Sequence, residues 1–449
     1  MTTSPCRNIE ESVIAGLSAH VRAGDAMCIG LSGGLDSMVL LDIAHAAAAA
    51  LGIRVSAIHV HHGLSPNADD WARFCEGQCE HRSIALEIAR VQVDRAGGLG
   101  LEAAAREVRH ACYAKVEAQW IALAHHADDF AETFLLRLLR GAGIKGLAAI
   151  PEVRTLGAGK RLIRPLLALR RRDLENYARE RALAWIEDES NVDTGFDRNY
   201  LRHEVIPGLT KRFPTAVQNI QRAGDHARVA QMLLDDLARI DLHAADVDDA
   251  LPMALMRSLS AERARNALRY YLAANGVAMP DSARLGEAVR QIRECSEDAR
   301  LLIELDGWQL RRQRDHVVIT DSILEAGRIV FERQMEGTGG IHIAELGGTL
   351  FFDPAAGQGI RSRLFHEPGW IIRTRRGGER MRPEADRPTR TLKNLFQERG
   401  VAAWERDRVP LLFHNDRLIW VPGVGIDCAY QCAREDDGIM PRWAVVSRA

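Results

Sequence analysis

Apolar and polar positions in the first 140 residues switch between two periods. Four short apolar runs, at 26–31, 53–60, 84–93 and 120–124, have the length and composition of sheet strands. Segments with helical spacing separate them: about 37–50, with Leu40, Leu41 and Ile43 among its apolar positions, then roughly 67–80 and the alanine-rich 101–118. A further helix opens at Asp128 and runs to about Arg140. Strands joined by helices of this length predict a parallel, doubly wound sheet, whose ligands bind beyond the carboxyl ends of the strands. Three polar clusters fall at those ends, at 32–37, 59–62 and 125–129.

Residues 151–214 read as a connector with one more helix near 171–183. The pattern at 215–300 is strongly helical, with an acidic patch around 235–249, and 301–321 alternates like a hairpin or meander. Beyond about 330 short strands and glycines dominate. The predicted class is α/β, a doubly wound parallel sheet followed by a helical domain and a small α+β C-terminal domain. The corresponding boundaries are 1–214, 215–330 and 331–449.

Composition adds limits. The chain has 449 residues, 59 basic and 61 acidic, for a formal charge of −2, and this length calls for more than one core. No apolar run has membrane-spanning length and the N-terminal stretch does not read as a signal peptide, so the expectation is no membrane and a cytoplasmic location. The eight cysteines are scattered. Cys75/Cys79 and Cys428/Cys432 are each four apart, but no C-x-x-C or second knuckle completes a zinc or redox set. They read as small buried residues. Only five basic residues are lysine, a bias toward arginine that suits bidentate contacts to phosphate and carboxylate.

The strongest chemical signal is Ser32, Gly33, Gly34, Leu35, Asp36 and Ser37 in sequence between a strand and a helix. Glycines admit close backbone approach, while hydroxyls and free helix N-terminal amides hold anionic oxygen. The plainer reading is a tight turn with Asp36 or Ser37 as the cap. The loop lacks the Walker lysine, and no G-x-G-x-x-G is present. Asp129 and Glu132 are three apart on one helix face and would hold an ammonium group; acids at a helix N-terminus are the alternative. Arg106 is a free cation or the i+4 partner of Glu102. Arg198 is a second candidate cation or a solvated loop arginine. His59, His61, His62, His125 and His126 end two strands with spacing wrong for compact zinc ligation, and read as cleft lining or backbone partners.

The 32–37 loop resembles the pyrophosphate loop of the N-type ATP pyrophosphatases, the PP-loop superfamily with its adenine nucleotide alpha hydrolase-like fold. Further segments follow in order: His59-Val60-His61-His62-Gly63-Leu64-Ser65, Glu102-Ala103-Ala104-Ala105-Arg106, and the stretch from His125-His126 to Glu132-Thr133. Arg140-Gly141-Ala142-Gly143, Arg164-Pro165-Leu166-Leu167, Arg198-Asn199 with Leu201-Arg202, Arg376-Gly377-Gly378-Glu379-Arg380 and Leu392-Lys393-Asn394-Leu395-Phe396 complete the set. Together they resemble the tRNA(Ile)-lysidine synthetase family from about residue 26 to about 425, the helical middle fitting by position alone.

The resemblance implies an ATP-dependent reaction. The wobble cytidine of a CAU-anticodon tRNA(Ile) is adenylated at its C2 oxygen, and free L-lysine then displaces AMP. It implies that the 32–37 loop cradles pyrophosphate, that His59 and His61 lie by the adenosine, and that Asp36 holds Mg²⁺. Asp129 and Glu132 would take the lysine ammonium; Arg106 and Arg198 would serve the α-phosphate or the lysine carboxylate. Two alternatives keep parts of this reading: tRNA thiolation on the same loop, and a non-catalytic RNA-binding protein. A homodimer is compatible with the sequence, which does not specify an oligomeric state.

The charge is also unevenly spread. Residues 137–172 hold ten basic residues against one acid, and 361–410 hold thirteen against seven. Such blocks fit an RNA-backbone footprint, with solvated helix faces as the plainer account. Arg140 and Lys145 are the candidate tRNA contacts in the first block, and Arg373, Arg375, Arg376, Arg380 and Lys393 in the second. Phe396, Trp404 and Trp185 are candidate stacking partners for unpaired bases, although as large apolar residues each fits a core position better.

Overall fold

The computed structural model describes residues 5–92, 101–157, 159–187, 195–243, 250–296, 299, 301–321, 330–335, 337, 339–401 and 405–445, with the side chains of 5, 101–103 and 321 excepted. The chain separates into two compact units, Met1–Asp235 and Asp236–Ala449.

In the first unit the described elements run α1 (Pro5–Ser18), β1 (Ala26–Gly30), α2 (Leu35–Leu51), β2 (Arg54–His61), α3 (Ala68–His81), β3 (Ala85–Arg90), α4 (Leu101–Lys115), β4 (Trp120–Ala122) and α5 (Ala127–Leu139). They continue with α6 (Ile144–Leu147), β5 (Val153–Gly157), β6 (Lys160–Ile163), α7 (Arg171–Glu180), α8 (Asp197–Tyr200), α9 (Ile206–Arg212) and the greater part of α10 (Ala216–His243), which runs past Asp235. The sheet order is β3-β2-β1-β4-β6-β5. All neighbours are parallel except the β5/β6 edge pair. The doubly wound sheet is therefore present. The connector reading of 151–214 needs correction, because 153–163 forms a hairpin that widens the sheet. Its short buried pair, Leu162 and Ile163, is flanked by cationic Lys160, Arg161 and Arg164, which masks the strand pattern.

Strand alternation assigns each side chain a face. Met27, Ile29, Trp120, Ala122 and Ile163 pack with α1, α2, α3 and α7 on one side. Cys28, Ile58, Ile121 and Leu162 meet Tyr113 of α4 and Val116 just after it on the other. Gly30 permits that second contact, since a β-carbon there would lie 2.6 Å from Leu123 Cδ2 and 2.8 Å from the Tyr113 hydroxyl. The Tyr177 hydroxyl, 2.8 Å from Glu10 Oε1 and 3.1 Å from Asp42 Oδ2, ties α7 to α1 and α2.

In the second unit, α11 (Met253–Ser258), α12 (Ala261–Ala274) and α13 (Ser282–Glu294) pack on an antiparallel sheet ordered β7-β10-β9-β8. Its strands are β7 (Leu251–Pro252), β8 (Leu302–Leu305), β9 (Trp308–Gln313) and β10 (His316–Asp321), so 301–321 is the meander its alternation predicts. A separate core begins at Ile343. There a five-stranded sheet includes β11 (Trp370–Arg373), β12 (Leu411–His414) and β13 (Arg417–Val421). One face, with Ile372, Leu412 and Ile419, packs on a four-stranded sheet through Leu350 and Phe352. The opposite face, with Leu411, Phe413 and Leu418, is covered by α14 (Leu392–Arg399).

Candidate active site

The 32–37 loop leaves β1 and enters α2. Gly34, not Asp36 or Ser37, is the N-cap residue, and no side chain caps the helix. The Ser37 hydroxyl turns back to donate to the Gly34 carbonyl at 2.9 Å and lies 3.1 Å from the Ser32 hydroxyl. An uncapped helix start leaves first-turn amides and the positive end of the helix dipole open to an anion. Gly33 has φ +84°, and a β-carbon there would lie 2.8 Å from Ile186 Cδ1. Ile186 N–H also donates to the Gly33 carbonyl at 2.9 Å, so the segment after α7 braces the loop.

Asp36 follows on the first turn of α2. Its Oδ2 lies 3.4 Å from Arg171 Nη1 and 3.6 Å from His126 Nε2, while its Oδ1 is buried with no hydrogen-bond partner. His126 caps α5: its Nδ1 accepts from the amides of Asp128 and Asp129, and its own amide donates to Asp129 Oδ2. Accepting at Nδ1 places the neutral ring's proton on Nε2, which lies 3.4 Å from Asp129 Oδ2 as well. His126 thus stands between the phosphate-loop carboxylate and the α5 carboxylate. Asp128 points elsewhere, accepting from Arg170 and from the Arg171 amide at 2.8 Å, which docks α7 on α5.

Asp129 and Glu132 lie together on α5, as their spacing requires. Asp129 Oδ1 accepts from Arg198 Nη2 at 2.9 Å and Arg202 Nη2 at 3.1 Å. Glu132, 1% exposed, accepts from Arg198 Nε at 2.8 Å and Arg202 Nε at 2.6 Å. Burial alone would raise the Asp129 pKa, but His126 and the guanidiniums of Arg198 and Arg202 outweigh it and hold the carboxyl down at about 2. Arg198 is therefore no free loop cation. It closes a two-acid, two-guanidinium cluster with Arg202, a site residue that the sequence reading passed over inside a motif.

Arg106 sits on α4 with Arg109 and His110, three and four residues on. Its pKa is lowered by partial burial and by the guanidiniums of Arg198, Arg109, Arg154 and Arg137. Its proposed partner Glu102 has a side chain outside the described residues. Arg164, which follows β6, is 3% exposed and donates to His125 Nδ1 at 3.2 Å and to the Pro151 carbonyl. Burial chiefly, with Arg164 and its neighbours, pushes His125 down to about 3, so this ring is neutral.

The remaining histidines divide by role. His59 lies 2.9 Å from the Leu31 carbonyl through Nδ1, so its ring braces β1 instead of reaching toward a ligand. His61 lies 3.3 Å from both Asp69 and Arg90. Burial pushes the Cys75 thiol up to about 12 and the Cys79 thiol to about 11, which leaves both protonated and poor nucleophiles.

The expected tRNA contacts also divide. Lys145, Arg380 and Lys393 are exposed and face no acid among the described residues. Arg140 pairs with Asp197 and Arg376 with Glu332 near the surface. Arg375 pairs with Asp407 at 2.8 Å. Arg373 needs correction: it lies over the Phe413 ring at 3.9 Å and donates to Glu379, a packing role. Phe396 is fully buried and so is no stacking platform, Trp185 packs on the core of the first unit, and Trp404 lies outside the described residues.

Comparison with known proteins decides the family. Residues 7–209 match a model of the PP-loop domain, 251–318 the TilS substrate binding domain, and 371–443 the TilS substrate C-terminal domain. A tRNA(Ile)-lysidine synthase of Nitrosomonas europaea is 39% identical over 441 residues, covering 97% of this chain and 95% of that one. Proteins of the same name from Azoarcus sp. and Burkholderia pseudomallei are 38% and 41% identical; the alignments cover 96% and 90% of this chain, and 94% and 89% of theirs. The chain belongs to the tRNA(Ile)-lysidine synthase family. His126 lines the cleft and caps backbone amides, as its place at a strand end suggests. Arg202 and Arg164 stand inside the family motifs, and their site roles show only once the fold brings them to Glu132 and His125.

Proposed function

We propose that this chain joins free L-lysine to C2 of the wobble cytidine of CAU-anticodon tRNA(Ile), converting ATP to AMP and pyrophosphate. The C2 oxygen attacks the α-phosphorus and pyrophosphate leaves. The lysine ε-amine then attacks C2, the C2–O bond breaks, AMP leaves with that oxygen, and the amine loses a proton.

The observation that carries this reading is the position of His126, 3.6 Å from the loop carboxylate of Asp36 and 3.4 Å from Asp129. One ring thus joins the anion-binding loop to the acidic pair, so both half-reactions fit in one cleft. The loop from Ser32 to Ser37 holds departing pyrophosphate on open amides. Asp129 and Glu132 take the lysine ammonium when one of their guanidiniums gives way. Arg106 and Arg198 serve the α-phosphate and the lysine carboxylate.

The unpartnered Asp36 Oδ1 fits a divalent cation that arrives with the phosphates. The described residues contain no cluster of three or more metal ligands, so Asp36 would hold Mg²⁺ against phosphate oxygens. Bound there, the ion neutralises charge on the departing pyrophosphate. Thiolation is disfavoured by the protonated, buried Cys75 and Cys79. No described helix is long and apolar enough to cross a membrane, and the substrates proposed here suit a cytoplasmic enzyme. A homodimer is not required, because one chain supplies every group named.

The deciding experiment is nucleoside mass spectrometry after incubation with ATP, lysine and a CAU-anticodon isoleucine transcript. Lysidine is expected only when lysine is present. Its absence with folded protein overturns the reading.

A further inference from the structure

A second cluster of cations lies on the opposite side of the sheet from α2 and α7. Arg106, Arg109 and His110 share a face of α4. Arg164 follows β6, and Arg154 of β5 stands in register with Leu162 of β6. Leu162 packs into the core that α4 makes with the sheet, and its directly opposed partner Arg154 shares that face. Lys160 Nζ fixes the other end of α4 through the Ala114 carbonyl at 2.6 Å. Among the described residues, no carboxylate pairs with Arg106, Arg109, Arg154 or Arg164. Nδ1 of His62 and Nδ1 of His110 are each buried without a hydrogen-bond partner. Burial first, then the four arginines, holds His110 below its ordinary pKa. Guanidiniums with no described acid among them repel one another, and an anion placed there removes that cost.

In-line phosphoryl transfer places the attacking oxygen opposite the departing group. Pyrophosphate departs toward the α2 N-terminus. The nucleotide that attacks must then enter from the α4 side, where the cluster lies. We propose that Arg109 and Arg154, with His110 between the cluster's arginines, seat the backbone phosphates of the RNA next to the nucleotide being modified. The seat rests on the reaction proposed above. It is distinct from the 32–37 loop and uses residues outside the acidic pair.

The test uses the full chain, a fluorescently labelled CAU-anticodon isoleucine transcript, and binding measured across a range of KCl concentrations. Arg109 and Arg154 are both exposed, so their substitution leaves the core intact. Arg109→Ala and Arg154→Ala should each weaken transcript binding about tenfold and lower the log–log salt slope by about one. Arg154→Lys should retain the slope, and ATP affinity without RNA should stay at the wild-type value. Unchanged transcript affinity and slope overturn the seat. So does a loss of ATP affinity equal to the loss for RNA, which would assign the cluster to the triphosphate. If wild-type protein makes no lysidine while the variants still lose RNA affinity, the reaction is overturned and the seat stands. If lysidine forms and both variants bind RNA normally, the seat alone fails.

Discussion

Arg198 Nε lies 2.8 Å from Oε2 of Glu132, and this carboxylate is fully enclosed while the arginine keeps access to solvent. With Asp129 and Arg202 the pair forms a balanced cluster, so a lysine ammonium can enter only by displacing a guanidinium. Glu132→Gln leaves the two arginines facing one carboxylate. The expected result is pyrophosphate release with tRNA that stays within a few-fold of wild type. The kcat/KM for lysine should fall roughly 10- to 100-fold, the scale of one charged hydrogen bond. Thermal unfolding should register a loss of about 2 kcal/mol, below the range for fully buried pairs because the arginines reach water. Equal loss of both half-reactions would contradict this division.

Acid should weaken the same cluster through Asp129. Its folded-state pKa of about 2 is below the ordinary carboxyl value, so the ionised form contributes stability that is complete above about pH 4. That contribution is lost as pH falls from about 4 toward 2, and it amounts to about 2 kcal/mol. The difference in urea midpoint between wild type and Asp129→Asn should therefore shrink across this window. A difference that stays constant would show that the surrounding arginines do not act on Asp129 as described.

The sheet and its polar strand ends were legible because apolar runs, helical spacing and motif residues all agree in the first 140 residues. Asp129 and Glu132 could be paired from spacing alone, but their arginines could not, since Arg198 and Arg202 are about 70 residues away in sequence and meet them only after folding. The β5/β6 hairpin was hidden by cations around a two-residue core. Phe396 is core, the reading its chemistry favours over base stacking: Leu392, Leu395 and Phe396 recur at helical spacing, which is a core signature.

Gly33 offers a test of the loop's brace. Its φ of +84° disfavours any other residue, and the Ile186 side chain occupies the space a β-carbon would need. Gly33→Ala should lower stability by about 1–2 kcal/mol and weaken ATP binding. Adding Ile186→Ala should recover only the steric part of that loss. Full recovery in the double variant, read by Tm and ATP titration, would mean that the backbone conformation carries no cost.

The C-terminal cations should separate by their surroundings. Lys393 and Arg380 face solvent, and Lys393→Glu or Arg380→Glu should raise the tRNA KM and lower its salt slope without changing Tm. Arg373→Ala removes a guanidinium stacked on Phe413 and bound to Glu379, so it should lower Tm by several degrees. The reverse assignment of the two effects would move Arg373 back to the RNA surface.

Asp36 is the group on which the two halves of the mechanism can be separated. Its carboxylate belongs to the anion-binding loop, but one oxygen has no protein partner and the other faces Arg171 and His126. Removing it takes away the only proposed protein ligand for Mg²⁺ and leaves every cationic surface intact. Asp36→Ala should abolish tRNA-dependent pyrophosphate release at any magnesium concentration, while transcript affinity changes less than about twofold, as expected for a site that touches no RNA phosphate. Asp36→Glu keeps the charge on a longer arm and should retain weak activity that rises with added magnesium. If excess magnesium restores Asp36→Ala to the wild-type rate, the ion is held by phosphates alone, and the buried oxygen of Asp36 has another role.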